Sequence, residues 1–130
     1  PAEKPIGVAI VICERIITEE ETGNKTLVST FNNINTKHFP CAHDNMVVYI
    51  ALTNGQGARQ VDRNLKRLGA DQPILKLSGR VEFDDANRVI ELIFKLRHVV
   101  FLDAGVYTFE VCADHEYIFE SRFNVNLVEP

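Results

Sequence analysis

The chain has 130 residues and a mass of 14.7 kDa, the size of one domain. With 45% hydrophobic and 25% charged residues it is neither disordered nor collagen-like. A net charge of -4 and an isoelectric point near 5.5 argue against binding to nucleic acid or to an anionic membrane surface, since both draw on a positive field.

Val and Ile together number 25, against 10 Leu and one Met, and this excess of β-branched residues favours sheet. Ile6 to Cys13 is continuously apolar, as in a strand buried on both faces. It is too short to span a membrane, which needs ~20 residues. Glu14 and Arg15 follow it directly, so no signal peptide is expected. Glu19 to Lys25 contains the turn cluster Thr22-Gly23-Asn24, and Leu27 to Ile34 resumes as a second strand, making a hairpin. Asn35 to Asn45 is expected as a loop, with Phe39 packed inward and shaped by Pro40. Met46 to Thr53 alternates as a third strand and stops at Asn54-Gly55-Gln56-Gly57.

Ala58 to Leu68 is ambiguous. Val61, Leu65 and Leu68 fall at i, i+4 and i+7 before Gly69, the pattern of an amphipathic helix. At period two, Val61, Arg63, Leu65 and Arg67 share a face, which makes a poor strand. Arg59, Arg63, Lys66 and Arg67 then form a basic cluster, expected as a solvated face.

Ile74 to Phe83 and Val89 to Arg97 alternate as half-buried strands around the turn Asp84 to Asn87. Val99 to Leu102 is a short apolar piece. Tyr107, Phe109, Val111 and Ala113 share one face. Tyr117, Phe119, Ser121, Phe123, Val125 and Leu127 share one face of the next run, so the two predict a hairpin around Asp114-His115-Glu116. Tyr107, two residues after Gly105, fits a tyrosine corner whose hydroxyl bonds nearby backbone. The count is eight or nine strands, with no β–α–β alternation. An all-β, two-sheet antiparallel sandwich over residues 1–130 fits best.

Cys13-Glu14-Arg15, Glu21 to Leu27, Phe31-Asn32-Asn33-Ile34, Phe39-Pro40-Cys41-Ala42-His43 and Val48 to Gly55 occur in this order. Val99-Val100-Phe101, Gly105 to Glu110 and a closing hairpin follow. Together they resemble a family of small bacterial proteins of unknown function, and the resemblance covers nearly the whole chain. It implies an immunoglobulin-like sandwich and a strand rather than a helix at Ala58 to Leu68. It implies no catalytic residues. Family members tend to carry Gly in the last hairpin, where this chain has Asp114-His115-Glu116.

Cys13, Cys41 and Cys112 are odd in number and widely spaced, with no C-x-x-C pair. This predicts free thiols and a cytoplasmic location. The strongest chemical candidate is the loop His38-Phe39-Pro40-Cys41-Ala42-His43-Asp44. His38, Cys41, His43 and Asp44 are all competent zinc ligands. Its plainer reading is a polar surface loop. No cofactor, phosphate-binding loop or nucleophile motif is indicated. The expectation is therefore a non-enzymatic interaction or structural module that meets a protein partner, or a second copy as a homodimer, through its sheet edges. The alternative is a metal- or small-ligand-binding protein centred on His38 to Asp44.

Overall fold

Eleven strands and no helix make up the described part of the computed structural model, residues 4–129. In chain order they are β1 (Ile6–Thr18), β2 (Lys25–Thr30), β3 (Asn33–Thr36), β4 (Cys41–His43), β5 (Met46–Thr53) and β6 (Gly57–Arg67). There follow β7 (Leu75–Phe83), β8 (Ile90–Leu96), β9 (Val99–Phe101), β10 (Gly105–Ala113) and β11 (Glu116–Leu127). They form a four-stranded sheet in the order β2-β1-β5-β8, a five-stranded sheet in the order β3-β11-β10-β6-β7, and the small ribbon β4-β9. Among the described residues no helix is long and apolar enough to cross a membrane.

The inward side chains of both large sheets meet in one core. Ile12, Val48, Ile50, Leu52 and Phe94 come from the four-stranded sheet; Val61, Leu65, Phe109, Val111, Phe123 and Val125 come from the five-stranded one. Phe94 and Phe109 stack with ring centroids 6.1 Å apart. Phe101 carries the ribbon into the same core, edge-on to Tyr107 at 5.0 Å and to Phe123 at 6.0 Å. Each fully buried ring of this kind stabilises the fold by roughly 2–3 kcal/mol through the area it removes from water. Gly7 lets Phe119 lie directly on β1, because a Cβ there would fall inside the Phe119 ring. The hydroxyl of Tyr107 donates to the Asp103 carbonyl at 2.6 Å, the bond expected of a tyrosine corner.

Several expectations are corrected. Eleven strands replace eight or nine, for two reasons. The run read as one strand from Leu27 to Ile34 divides at Phe31-Asn32: β2 pairs with β1, and β3 crosses to the other sheet and pairs with β11. The segment read as a loop from Asn35 to Asn45 contains β4, whose Cys41 and His43 pair with Phe101 and Val99. The β3–β11 pair is parallel, so the five-stranded sheet is mixed rather than antiparallel throughout.

Burial on both faces belongs to β5 rather than to the apolar run of β1. Successive residues of β5 are buried, on one face and then the other, and it has β1 on one side and β8 on the other along its length. The first half of β1 pairs with β5 alone, since β2 joins only from Cys13 onward. Ile6 and Val8, the latter at the register shift between Gly7 and Ala9, are more than half exposed.

The helix pattern of Ala58 to Leu68 loses to strand pairing, as the family resemblance implied. β6 is hydrogen-bonded to β10 on one side and β7 on the other, and a strand held from both sides overrides a local preference. The expected single solvated basic face does not form. Arg59, Arg63 and Arg67 alternate with the inward Val61 and Leu65, and Arg63 turns its charge onto a core ring. In the last hairpin the ladder shifts between Val111 and Cys112. This bulge moves Tyr117 off the Phe123 face, and Tyr117 is 48% exposed with its hydroxyl on Glu120.

Candidate functional site

The His38 to Asp44 segment is built by β4 and the bend before it. Phe39 and Cys41 pack against the core, which pins the segment. Cys41 and His43 lie two residues apart on β4, and the Phe39–Pro40 peptide is cis. The His43 ring rests on Phe31 at 5.3 Å, and its Nε2 is 3.1 Å from the Asn45 carbonyl. The His38 carbonyl accepts from Thr36 Oγ1 at 2.9 Å. Asp44 faces His98, a residue the sequence reading did not include, with Oδ1 3.5 Å from Nδ1 and both side chains exposed. Thus Cys41, His43 and Asp44 sit close in sequence but turn to separate neighbours, the core, Phe31 and His98. Among the described residues no three His, Cys, Asp or Glu side chains converge as a metal site would need.

The outer face of the five-stranded sheet holds a polar cluster that sequence reasoning passed over. Asp62 on β6 is 3% exposed. Its Oδ1 accepts from Ser78 Oγ at 2.6 Å and from Gln60 Nε2 at 3.2 Å. Its Oδ2 lies 3.7 Å from His115 Nδ1. The Ser78 hydrogen bond, aided by Gln60, Lys76 and His115, holds the carboxyl below the usual carboxylate range despite the opposing effect of burial. Asp62 stands between hydroxyl and imidazole, whereas a nucleophilic triad needs the imidazole between the other two.

Beside it, the Cys112 thiol lies 3.7 Å from Glu110. Burial first, and then the Glu110 carboxylate, push this thiol up to about 11. It stays protonated at neutral pH and is a poor nucleophile. Burial likewise pushes Cys13 up, and its thiol donates to the Val47 carbonyl at 3.6 Å. All three cysteines are free.

The second feature is the edge of this sheet. β7 lies at the end of the strand order, and β6 is its neighbour. Its nine residues alternate regularly, with no proline and no register shift against β6. Lys76, Ser78, Arg80 and Glu82 are exposed on the outer face, while Leu75, Leu77, Gly79 and Val81 are half-buried on the inner one.

The direction of the backbone groups follows from two bonds. Asp114 N–H donates to the Gln60 carbonyl at 2.8 Å, so Gln60 and, by alternation, Asp62 and Asn64 turn their main-chain groups toward β10. Ile74 N–H donates to the Leu65 carbonyl at 2.8 Å, so Leu65, Arg63 and Val61 turn theirs toward β7. Gly79, opposite Val61, and Leu77, opposite Arg63, therefore bond to β6. The N–H and C=O groups of Lys76, Ser78, Arg80 and Glu82 point away from the sheet, a template for a further strand. The signal for this edge was present in the clean alternation of Ile74 to Phe83, but alternation does not say which strand ends a sheet.

No curated protein matches this sequence. Residues 8–126 match the family model described as "Family of unknown function (DUF6941)", and the chain belongs to that family.

Proposed function

We propose that this protein is a non-enzymatic, cytoplasmic interaction module of bacterial origin. It is an immunoglobulin-like β-sandwich that binds another protein chain by strand addition. The shared core of the two large sheets and the Tyr107–Asp103 corner support the sandwich reading. The free thiols of Cys13, Cys41 and Cys112 support a reducing compartment.

The observation that carries the interaction reading is β7, a regular edge strand with four successive outward-facing positions ready to hydrogen-bond. Natural sheets blunt such edges with proline, bulges, covering segments or charged side chains, and of these β7 carries only the charges of Lys76, Arg80 and Glu82. β7 has no proline and no register shift, and its ladder with β6 is regular from Leu75 to Phe83. Strand addition takes affinity from main-chain hydrogen bonds and specificity from alternate side chains.

The test is affinity capture from the native host at native abundance, read by mass spectrometry, with Arg80→Pro as the control. Arg80 turns its N–H away from β6, so proline removes an outward donor and leaves the β6–β7 ladder in place. A partner held by the wild-type chain and lost with Arg80→Pro, at unchanged thermal stability, is expected. Capture indifferent to Arg80→Pro would overturn the assignment to this edge.

A further inference from the structure

We infer that the chain on which β7 docks is a second copy of this protein, paired antiparallel about a two-fold axis at Gly79. The inference rests on the interaction reading above and names its partner. Its warrant is the self-complementarity of β7 in that one register.

The strand reads Leu-Lys-Leu-Ser-Gly-Arg-Val-Glu-Phe from Leu75 to Phe83. Turned end for end about Gly79, Lys76 lies opposite the partner's Glu82, and Glu82 lies opposite the partner's Lys76. Ser78 faces the partner's Arg80, Leu77 the partner's Val81 and Leu75 the partner's Phe83. On the outer face Lys76 and Glu82 meet their opposite charges, although Glu82 also holds its own Arg80 at 3.0 Å, and on the inner face apolar residues meet apolar residues. Directly opposed pairs of these kinds stabilise a sheet, and opposed like charges destabilise it.

Backbone geometry selects the same register. The outward-pointing residues are Lys76, Ser78, Arg80 and Glu82. In this pairing they match one another as four hydrogen-bonded pairs, which closes on the order of eight N–H···O bonds. Gly79 then meets the partner's Gly79 as a non-hydrogen-bonded pair, where Cα atoms approach to about 4.5 Å. Glycine is the residue that leaves most room there. A shift of one residue either way would turn inward-pointing groups onto outward-pointing ones and lose the ladder. A shift of two would leave the Lys76–Glu82 pairs out of register. The product is one continuous ten-stranded sheet with a closed, isologous interface.

Charge reversal separates this pairing from a non-specific one. The measurement is sedimentation equilibrium on the purified full chain across micromolar concentrations, with circular dichroism to confirm folding. The wild type is expected to dimerise. Lys76→Glu alone, or Glu82→Lys alone, places like charges opposite each other at both ends of the pair. Each should raise the dimer dissociation constant about tenfold or more. The double variant Lys76→Glu/Glu82→Lys should restore dimerisation. An equimolar mixture of the two single variants should form a heterodimer, because each then faces its opposite charge.

A monomeric wild type, or a dimer indifferent to both single reversals, overturns the inference. If the protein is monomeric yet still captures another host protein in an Arg80-dependent manner, the interaction reading stands and the self-pairing falls. If it neither dimerises nor captures, both fall.

Discussion

The guanidinium of Arg63 lies 4.1 Å from the centre of the Phe94 ring, so a cation from the five-stranded sheet is seated on an aromatic face from the four-stranded sheet. Its Nε is buried with no hydrogen-bond partner among the described residues. Burial draws this guanidinium below the ordinary arginine value, against the pull of Asp62. The missing side chain of Gly79 makes room for it, since a Cβ there would come within 3.3 Å of Arg63 Nη2. The ring quadrupole replaces part of the hydration that the cation gives up.

A double-mutant cycle on this pair reports its worth. Arg63→Met is expected to change stability by no more than about 1 kcal/mol, because the lost cation–π attraction is offset by removal of an unsatisfied donor. The coupling between Arg63→Met and Phe94→Leu, read from urea unfolding of the four chains, should be about 1–2 kcal/mol. Additive effects would show that the ring merely packs beside the arginine.

The Asp62 carboxylate ties stability to pH. Its folded-state value is lowered, chiefly by Ser78. Its contribution is therefore fully present above the unfolded value of ~4 and is lost as pH falls through the folded value. Ser78→Ala removes the strongest donor, so it should cost about 1–2 kcal/mol at neutral pH. It should also move the acid-unfolding midpoint upward. An unchanged midpoint in an acid titration followed by circular dichroism would contradict this account.

Thiol reactivity should follow burial and charge. Cys112 is pushed up to about 11 and Cys13 is fully buried. Neither should react with iodoacetamide in the folded protein at pH 8, and Cys112 labelling should rise as pH approaches its raised value. Peptide mapping after a timed pulse measures both. Rapid alkylation of Cys112 at pH 7 would show that burial and the Glu110 carboxylate do not suppress the thiolate.

The last hairpin turns through Asp114 and His115, both at positive φ, 49° and 68°. Two such residues define the tight turn that matches strand twist and favours glycine at its second position. His115→Gly should therefore stabilise the protein by about 0.5–1 kcal/mol, because relief of the left-handed strain exceeds the entropy glycine adds to the unfolded chain and the loss of the contact between exposed His115 and buried Asp62. Asp114 is the residue to keep, since it accepts from the Gln60 N–H and from Arg59, each at 3.0 Å. A lower melting temperature for His115→Gly would reverse this ranking of the two effects.

Much of the strand pattern was legible because it is written at period two. Leu75 to Phe83, Ile90 to Leu96 and Tyr107 to Ala113 each show their inner face directly, and the structure buries or half-buries those faces. The Tyr107 corner was legible for the same local reason, its bond partner lying four residues away. The His38 to Asp44 loop drew attention by composition, yet chain proximity does not aim side chains. His43 turned to Phe31, and Asp44 turned to His98.

Sequence alone determined the all-β class, the inward residues of the regular strands and the hairpin near the C-terminus. Each follows from side-chain alternation and turn chemistry within a few residues. Tertiary structure alone decided that β3 leaves β2 for the other sheet, that Asp62 is buried and that β7 is an edge; at Ala58 to Leu68 local pattern favoured a helix, and pairing with β10 and β7 made it the strand the family resemblance implied. These depend on which strands lie side by side. That is settled by pairing between residues far apart in the chain, where the backbone groups of one strand are satisfied by another.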